Sequence, residues 1–155
     1  MNQTHIHLWI THLPIFGSIL GALVLAYALW AKSTQTKIAS YILFIISSIG
    51  AGISYLTGEA AEETVEHITG VSKNLIEQHE DFAMYALISL IVLGVASIVA
   101  LFLTLKKYSL TRTVAVVVLF ISLISFGLTA RTGYLGGQIR HTEINSNIAS
   151  PTQAE

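Results

Sequence analysis

The sequence predicts an all-α integral membrane protein, a four-helix up-down bundle with both termini outside. Of its 155 residues, 53% are hydrophobic and 11% are charged, whereas soluble proteins average about 45–50% apolar and about 25% charged residues. Four apolar stretches reach the roughly 20 residues that a helix needs to cross a bilayer core of about 30 Å. Lysine and arginine are concentrated in two of the three connections, which is typical of a chain that crosses a membrane repeatedly.

The four predicted spans cover about residues 8–31, 38–56, 82–105 and 114–135. The ten-residue segments of alternating hydrophobicity that a membrane β-barrel requires do not occur in the sequence. The first stretch has no lysine or arginine before it and is too long for a signal peptide, so we interpret it as a span. Residues 1–144 then form one transmembrane domain, and residues 145–155 form a polar tail that we expect to be disordered.

The charges of the connections predict the orientation. Five of the eight lysines and arginines lie in the first and third connections. These five are Lys32, Lys37, Lys106, Lys107 and Arg112. Because positive loops stay in the cytoplasm, we expect both termini on the outer side of a bacterial inner membrane, which is the periplasm in a Gram-negative cell.

The composition excludes several classes of function. A net charge of −1 gives no basic surface for nucleic acid. The absence of cysteine excludes disulfides, thiolate metal sites and iron–sulfur clusters. No nucleophile elbow, phosphate loop or dinucleotide motif is found in the sequence, so it gives no reason to predict an enzyme.

All nine acidic residues and all six histidines lie toward the predicted outer end. Counting from the cytoplasmic boundaries, at about 1.5 Å per helical residue, puts three groups at one depth: His12, Glu59 and Arg131. The groups predicted to lie nearer the outer surface are His7, Glu62, His79 and His141. The remaining histidines, His5 and His67, are expected only to form hydrogen bonds.

Arg131 lies inside the fourth predicted span, where a charge is costly and marks function by default. The sequence leaves three interpretations open. The arginine forms an ion pair with Glu59 that joins two helices, it binds a haem propionate, or it is an exposed arginine at the membrane interface.

Four segments of the chain resemble one bacterial membrane-protein family. HLWITHLPI, from His7 to Ile15, is similar to the HPxxVHFPI opening of domain of unknown function 2231. Three later segments resemble later motifs of that family: TGEAAEE at 57–63, IEQHEDFAMYAL at 76–87 and GYLGGQIRHTEI at 133–144. The chain departs from the family pattern at Leu8, where proline is frequent, and at Thr142, where glycine commonly follows the last histidine.

The resemblance covers about residues 5–144 and implies four spans. It also implies that the functional histidines are His7, His12, His79 and His141, with an acid at Glu59 or Glu62. Proteins similar to this family accompany Rieske or cytochrome c domains, which implies electron transfer with periplasmic redox proteins as partners.

Three hypotheses follow for the outer end. The first is a redox subunit that binds b-type haem between histidines of facing helices, because neutral histidine is a common axial ligand. The second is a non-haem site for zinc, iron or manganese. Its predicted ligands are His7, His79, His141 and one of Glu59 or Glu62. The third is a non-enzymatic scaffold subunit in the lipid bilayer, whose polar groups hydrogen-bond the end of the bundle.

Overall fold

The computed structural model describes residues 3–58 and 73–140. The helices of this part are α1 Gln3–Ile10, α2 His12–Trp30, α3 Thr34–Leu56, α4 Lys73–Leu105 and α5 Thr111–Arg140. Four segments are long and apolar enough to cross a membrane: His5–Trp30, Thr34–Leu56, Lys73–Leu105 and Thr111–Ile139. Within the described residues, the predicted all-α fold is therefore confirmed, with four helical segments that are long and apolar enough for the four predicted spans.

The first span is interrupted at Thr11, where α1 gives way to α2. Pro14 explains the interruption, because its ring nitrogen has no hydrogen to donate to the carbonyl of Ile10. The proline lies in the first turn of α2, where an amide hydrogen is not needed by the helix. The Thr11 amide still bonds to the His7 carbonyl at 3.0 Å, so α1 and α2 continue along one path.

The four spans form a ring of antiparallel neighbours. α2 packs against α3 and α5, α4 packs against the same two helices, and α1 adds a contact to the end of α3. The short loops after α2 and α4 lie at one end, which we call the lysine end because Lys32, Lys106 and Lys107 occupy it. At the other end, the histidine end, α1 and α4 begin and α3 and α5 finish.

The interior combines large apolar side chains with glycines that let helices approach. Tyr41 and Phe44 of α3 are fully buried in the core. Gly17 and Gly21 of α2 face α3, and a Cβ on Gly21 would lie 2.5 Å from Cε1 of Phe44. This is the close approach that glycines four residues apart permit between membrane helices.

Much of the outward surface of the helices is apolar, as lipid contact requires. Trp30 at the end of α2 is 79% exposed and Leu56 at the end of α3 is 81% exposed. A surface with many exposed large hydrophobic side chains is compatible with contact with a bilayer rather than with water.

The two loops at the lysine end repeat one local structure. Lys32 and Lys107 have positive φ angles, 54° and 59°. In each loop the amide of the next residue bonds to the carbonyl five residues earlier, at 3.0 Å from Ser33 to Ala28 and 3.1 Å from Tyr108 to Leu103. This is a Schellman C-cap, so both hairpins, α2–α3 and α4–α5, turn in the same way.

Candidate functional site

His7 is a half-buried side chain of α1 that is bonded to the end of α3. Its Nδ1 lies 2.9 Å from the carbonyl oxygen of Ser54 and 3.4 Å from Oγ1 of Thr57. A carbonyl oxygen can only accept, so Nδ1 carries the proton and donates it to Ser54. The carbonyls in the last turn of a helix have no helical donor, and His7 supplies one to α3.

His79 has the same arrangement in the second half of the chain. It is a half-buried side chain in the second turn of α4, and its Nδ1 lies 3.0 Å from the carbonyl oxygen of Thr132 on α5. By the same argument Nδ1 carries the proton. Each histidine therefore links the helix that starts at this end to the helix that finishes beside it.

These hydrogen bonds determine which nitrogen of each imidazole ring keeps a lone pair that can bind a metal. When Nδ1 of a neutral imidazole holds the proton, Nε2 has a free lone pair. Within residues 3–58 and 73–140, Nε2 of His7 and Nε2 of His79 have no hydrogen-bond partner. A ring with Nδ1–H on a backbone carbonyl and Nε2 free is the arrangement of most metal-ligating histidines.

A glycine next to each histidine ring lies one helical turn after the residue whose carbonyl accepts the hydrogen bond. Gly58 follows Ser54 by four residues, and Gly136 follows Thr132 by four. A Cβ on Gly136 would lie 3.1 Å from Cε1 and 3.4 Å from Nδ1 of His79, whereas one on Gly58 would lie 3.6 Å from Cε1 of His7. A side chain at 136 would therefore make a tight contact with the imidazole, whereas one at 58 would make an ordinary van der Waals contact.

The two rings belong to one end of the bundle. His7 lies on α1 and His79 on α4, and both of these helices begin at the histidine end. We name these two residues the histidine pair. One comes from each hairpin, so the pair follows the same twofold repetition as the loops at the lysine end.

The structure places His12 and Arg131 outside the histidine pair. His12 is exposed, packs its ring 6.2 Å from that of Phe16, and lines a shallow surface depression. Arg131 is also exposed, and its guanidinium lies over the rings of Phe82 and Tyr134. His5 is exposed as well.

Three of the predicted ligands, Glu59, Glu62 and His141, lie outside the described residues, as does His67. The predicted ion pair of Arg131 with Glu59 and the three-histidine carboxylate site therefore stay predictions. In the described part of the chain, no group of three or more histidine, aspartate or glutamate side chains is placed to hold a metal ion.

Sequence reasoning identified both histidines but not their anchors. The acceptors are backbone carbonyls, which every residue has, so no side chain marks them. A hydroxyl residue followed four positions later by glycine occurs at Ser54 with Gly58 and at Thr132 with Gly136. The same pattern also occurs at Ser48 with Gly52 and at Thr129 with Gly133, so it does not single out the anchors.

Comparison with known proteins gives no functional assignment, so a proposed function must come from the geometry of the histidine pair. The chain matches no family model, no curated protein and no solved structure. The resemblance of the four sequence motifs to domain of unknown function 2231 stays a prediction.

Proposed function

We propose that this protein is a membrane-embedded electron-transfer subunit that binds b-type haem with His7 and His79 as axial ligands. One observation carries the proposal: both imidazoles donate Nδ1–H to a backbone carbonyl and keep Nε2 free. A haem ligand needs that orientation, because iron binds the nitrogen lone pair and the anchored proton holds the ring in place.

The donor chemistry of the chain fits such a group. The sequence has no cysteine, so imidazole is the strongest iron ligand available to it. The half-buried positions of His7 and His79 limit the access of water, and the anchors on α3 and α5 hold the rings where helix packing directs them. Haem, when bound, would supply a one-electron couple whose potential depends on such ligands and their burial.

The distribution of lysine and arginine supports one orientation of this subunit across the membrane. All five lysines and arginines of the first and third connections lie at the lysine end, which we assign to the cytoplasm. The histidine end and both termini then face the outer side of a bacterial inner membrane. Periplasmic redox proteins are the partners that this orientation allows.

A visible absorption spectrum of the detergent-purified protein, before and after dithionite, tests the proposal. We expect a Soret band, with α and β bands that sharpen on reduction, at about one haem per chain. The alanine variants of His7 and His79 should lose these bands. A haem-free protein, even after reconstitution with hemin, would contradict the proposal.

A non-haem metal site is the second candidate, and one observation favours it. Gly58 packs near the His7 ring, and Glu59 is the next residue in the chain, so a carboxylate follows directly on the glycine beside one histidine. Zinc, iron and manganese all accept imidazole with carboxylate. Metal analysis of the colourless protein would distinguish this site from haem.

A scaffold role is the third candidate. His7 joins α1 to α3 and His79 joins α4 to α5, and hydrogen bonds between membrane helices contribute about 0.6–2 kcal/mol each. If the histidines serve packing alone, their alanine variants will lower thermal stability in a protein that never contained haem or metal.

A further inference from the structure

Arg131 lies on the outward flank of the α4–α5 pair, where its charge has no carboxylate partner within the described residues. The guanidinium carbon is 5.5 Å from the ring centroid of Phe82 and 5.5 Å from that of Tyr134. These are cation–π contacts, which leave the five N–H donors of the guanidinium free. Neither an ion pair nor a hydrogen bond satisfies them in residues 3–58 and 73–140.

The depth of Arg131 points to the headgroup region of a bilayer. Arg131 lies 20 residues after Thr111, the first residue of the fourth span, which is about 30 Å of helix and matches the thickness of a hydrocarbon core. Aromatic side chains gather at the level of lipid headgroups, and arginine near the end of a span extends toward the same level. Phosphate is the acceptor there, and the planar guanidinium binds it through two parallel hydrogen bonds.

An acidic side chain lies on the same flank and limits which lipid headgroups this flank can bind. Phe82 contacts Tyr85 edge-on at 6.3 Å, and Asp81 lies one helical turn before Tyr85 and is exposed. Residues four apart share a helix face, so Asp81 shares the face of α4 that carries Tyr85. Asp81 also directly precedes Phe82, whose ring lies under the Arg131 guanidinium. The Asp81 carboxylate disfavours a purely anionic headgroup and favours one that also carries a positive charge.

We propose that Arg131, Phe82, Tyr134 and Asp81 form a binding site for the headgroup of a phosphoethanolamine lipid. The lipid phosphate accepts hydrogen bonds from the Arg131 guanidinium. Its primary ammonium donates to the Asp81 carboxylate, which a trimethylammonium group cannot do because it has no N–H. This site does not depend on haem or on the histidine pair.

Native mass spectrometry of the delipidated protein tests the site, with phosphatidylethanolamine, phosphatidylcholine and phosphatidylglycerol of identical acyl chains as probes. We expect the wild type to retain phosphatidylethanolamine most strongly. Arg131→Gln should weaken that binding at least about tenfold, since it removes charge-assisted hydrogen bonds. Arg112→Gln, which removes an exposed arginine at the lysine end, is the matched control and should bind as the wild type does.

Asp81→Asn tests recognition of the lipid ammonium group separately from recognition of the phosphate. It should abolish the preference for phosphatidylethanolamine over phosphatidylcholine while phosphate-dependent binding persists. Arg131→Lys keeps the charge but loses the bidentate fork, so it should bind more weakly than wild type and more strongly than Arg131→Gln. Equal binding of all three lipids by the wild type, or unchanged binding by Arg131→Gln, would overturn the proposal.

Discussion

The Nδ1–H of His79 donates to the backbone carbonyl of Thr132 at 3.0 Å, although 53 residues of chain separate them. His7 makes the same bond to Ser54 at 2.9 Å. In both hairpins a ring at the start of one helix is oriented by the neighbouring helix, so the direction of each Nε2 depends on helix packing. Substitutions that alter this packing should therefore change the chemistry of the histidine end without touching the histidines.

Gly136→Ala should displace the His79 ring. The new methyl group would lie 3.1 Å from Cε1 and 3.4 Å from Nδ1 of His79, so the ring must shift by a few tenths of an ångström to relieve this contact. We expect haem or metal occupancy to fall several-fold, measured as Soret absorbance or metal content per chain. Gly137→Ala is the control, because a Cβ there meets nothing within 4 Å. Equal loss in both variants would show that the ring position is not the cause.

Under the proposal, removing either member of the histidine pair takes away one of the two imidazoles that would hold the haem, so haem binding should be lost. His7→Ala and His79→Ala are expected to lose the dithionite-reduced α band while the protein still inserts into membranes. His12→Ala is the matched control, since His12 is an exposed histidine of the same span as His7. Full occupancy in both of the first two variants would rule out the pair as ligands.

The absorption spectrum and the thermal stability together separate a ligand role of the histidine pair from a packing role. His79→Asn keeps an amide N–H at the position of Nδ1, where it can donate to the Thr132 carbonyl, but it has no imidazole lone pair. If the pair binds haem, this variant keeps much of the thermal stability and loses the spectrum. If the pair only joins helices, no variant has a spectrum to lose, and stability follows the hydrogen bond.

The sequence predicted the number of spans well because length and hydrophobicity determine them. The helix itself extends beyond the predicted span, because α4 begins at Lys73, nine residues before residue 82. The nine additional residues are largely polar, and a hydrophobicity criterion detects only the part of a helix that lipid can surround. Helix rotation was also beyond the sequence, since it decides that His7 meets α3 whereas His12, five residues later, is exposed.

Gly21→Ala should destabilise the bundle. Its Cβ would lie 2.5 Å from Cε1 and 2.8 Å from Cδ1 of Phe44, which is fully buried and cannot swing away. Overpacking of this kind costs about 1–3 kcal/mol, so the melting temperature in detergent should fall by several degrees. Gly127→Ala provides the comparison, because Gly127 is exposed and its Cβ would meet nothing within 4 Å. A similar fall in both variants would count against close packing of α2 on α3.

Lys107→Gly should stabilise the protein, because Lys107 holds the C-cap of α4 at a φ of 59°. A side chain in this left-handed conformation costs about 1–2 kcal/mol, and glycine adopts it freely, although it loses more entropy on folding. We expect a net gain of roughly 1 kcal/mol in the free energy of unfolding, measured by thermal or denaturant unfolding in detergent. Lys106→Gly removes the same charge from the neighbouring residue, whose φ is not positive, and should lower stability instead. Loss of stability in both variants would mean that the charge of this loop matters more than its backbone conformation.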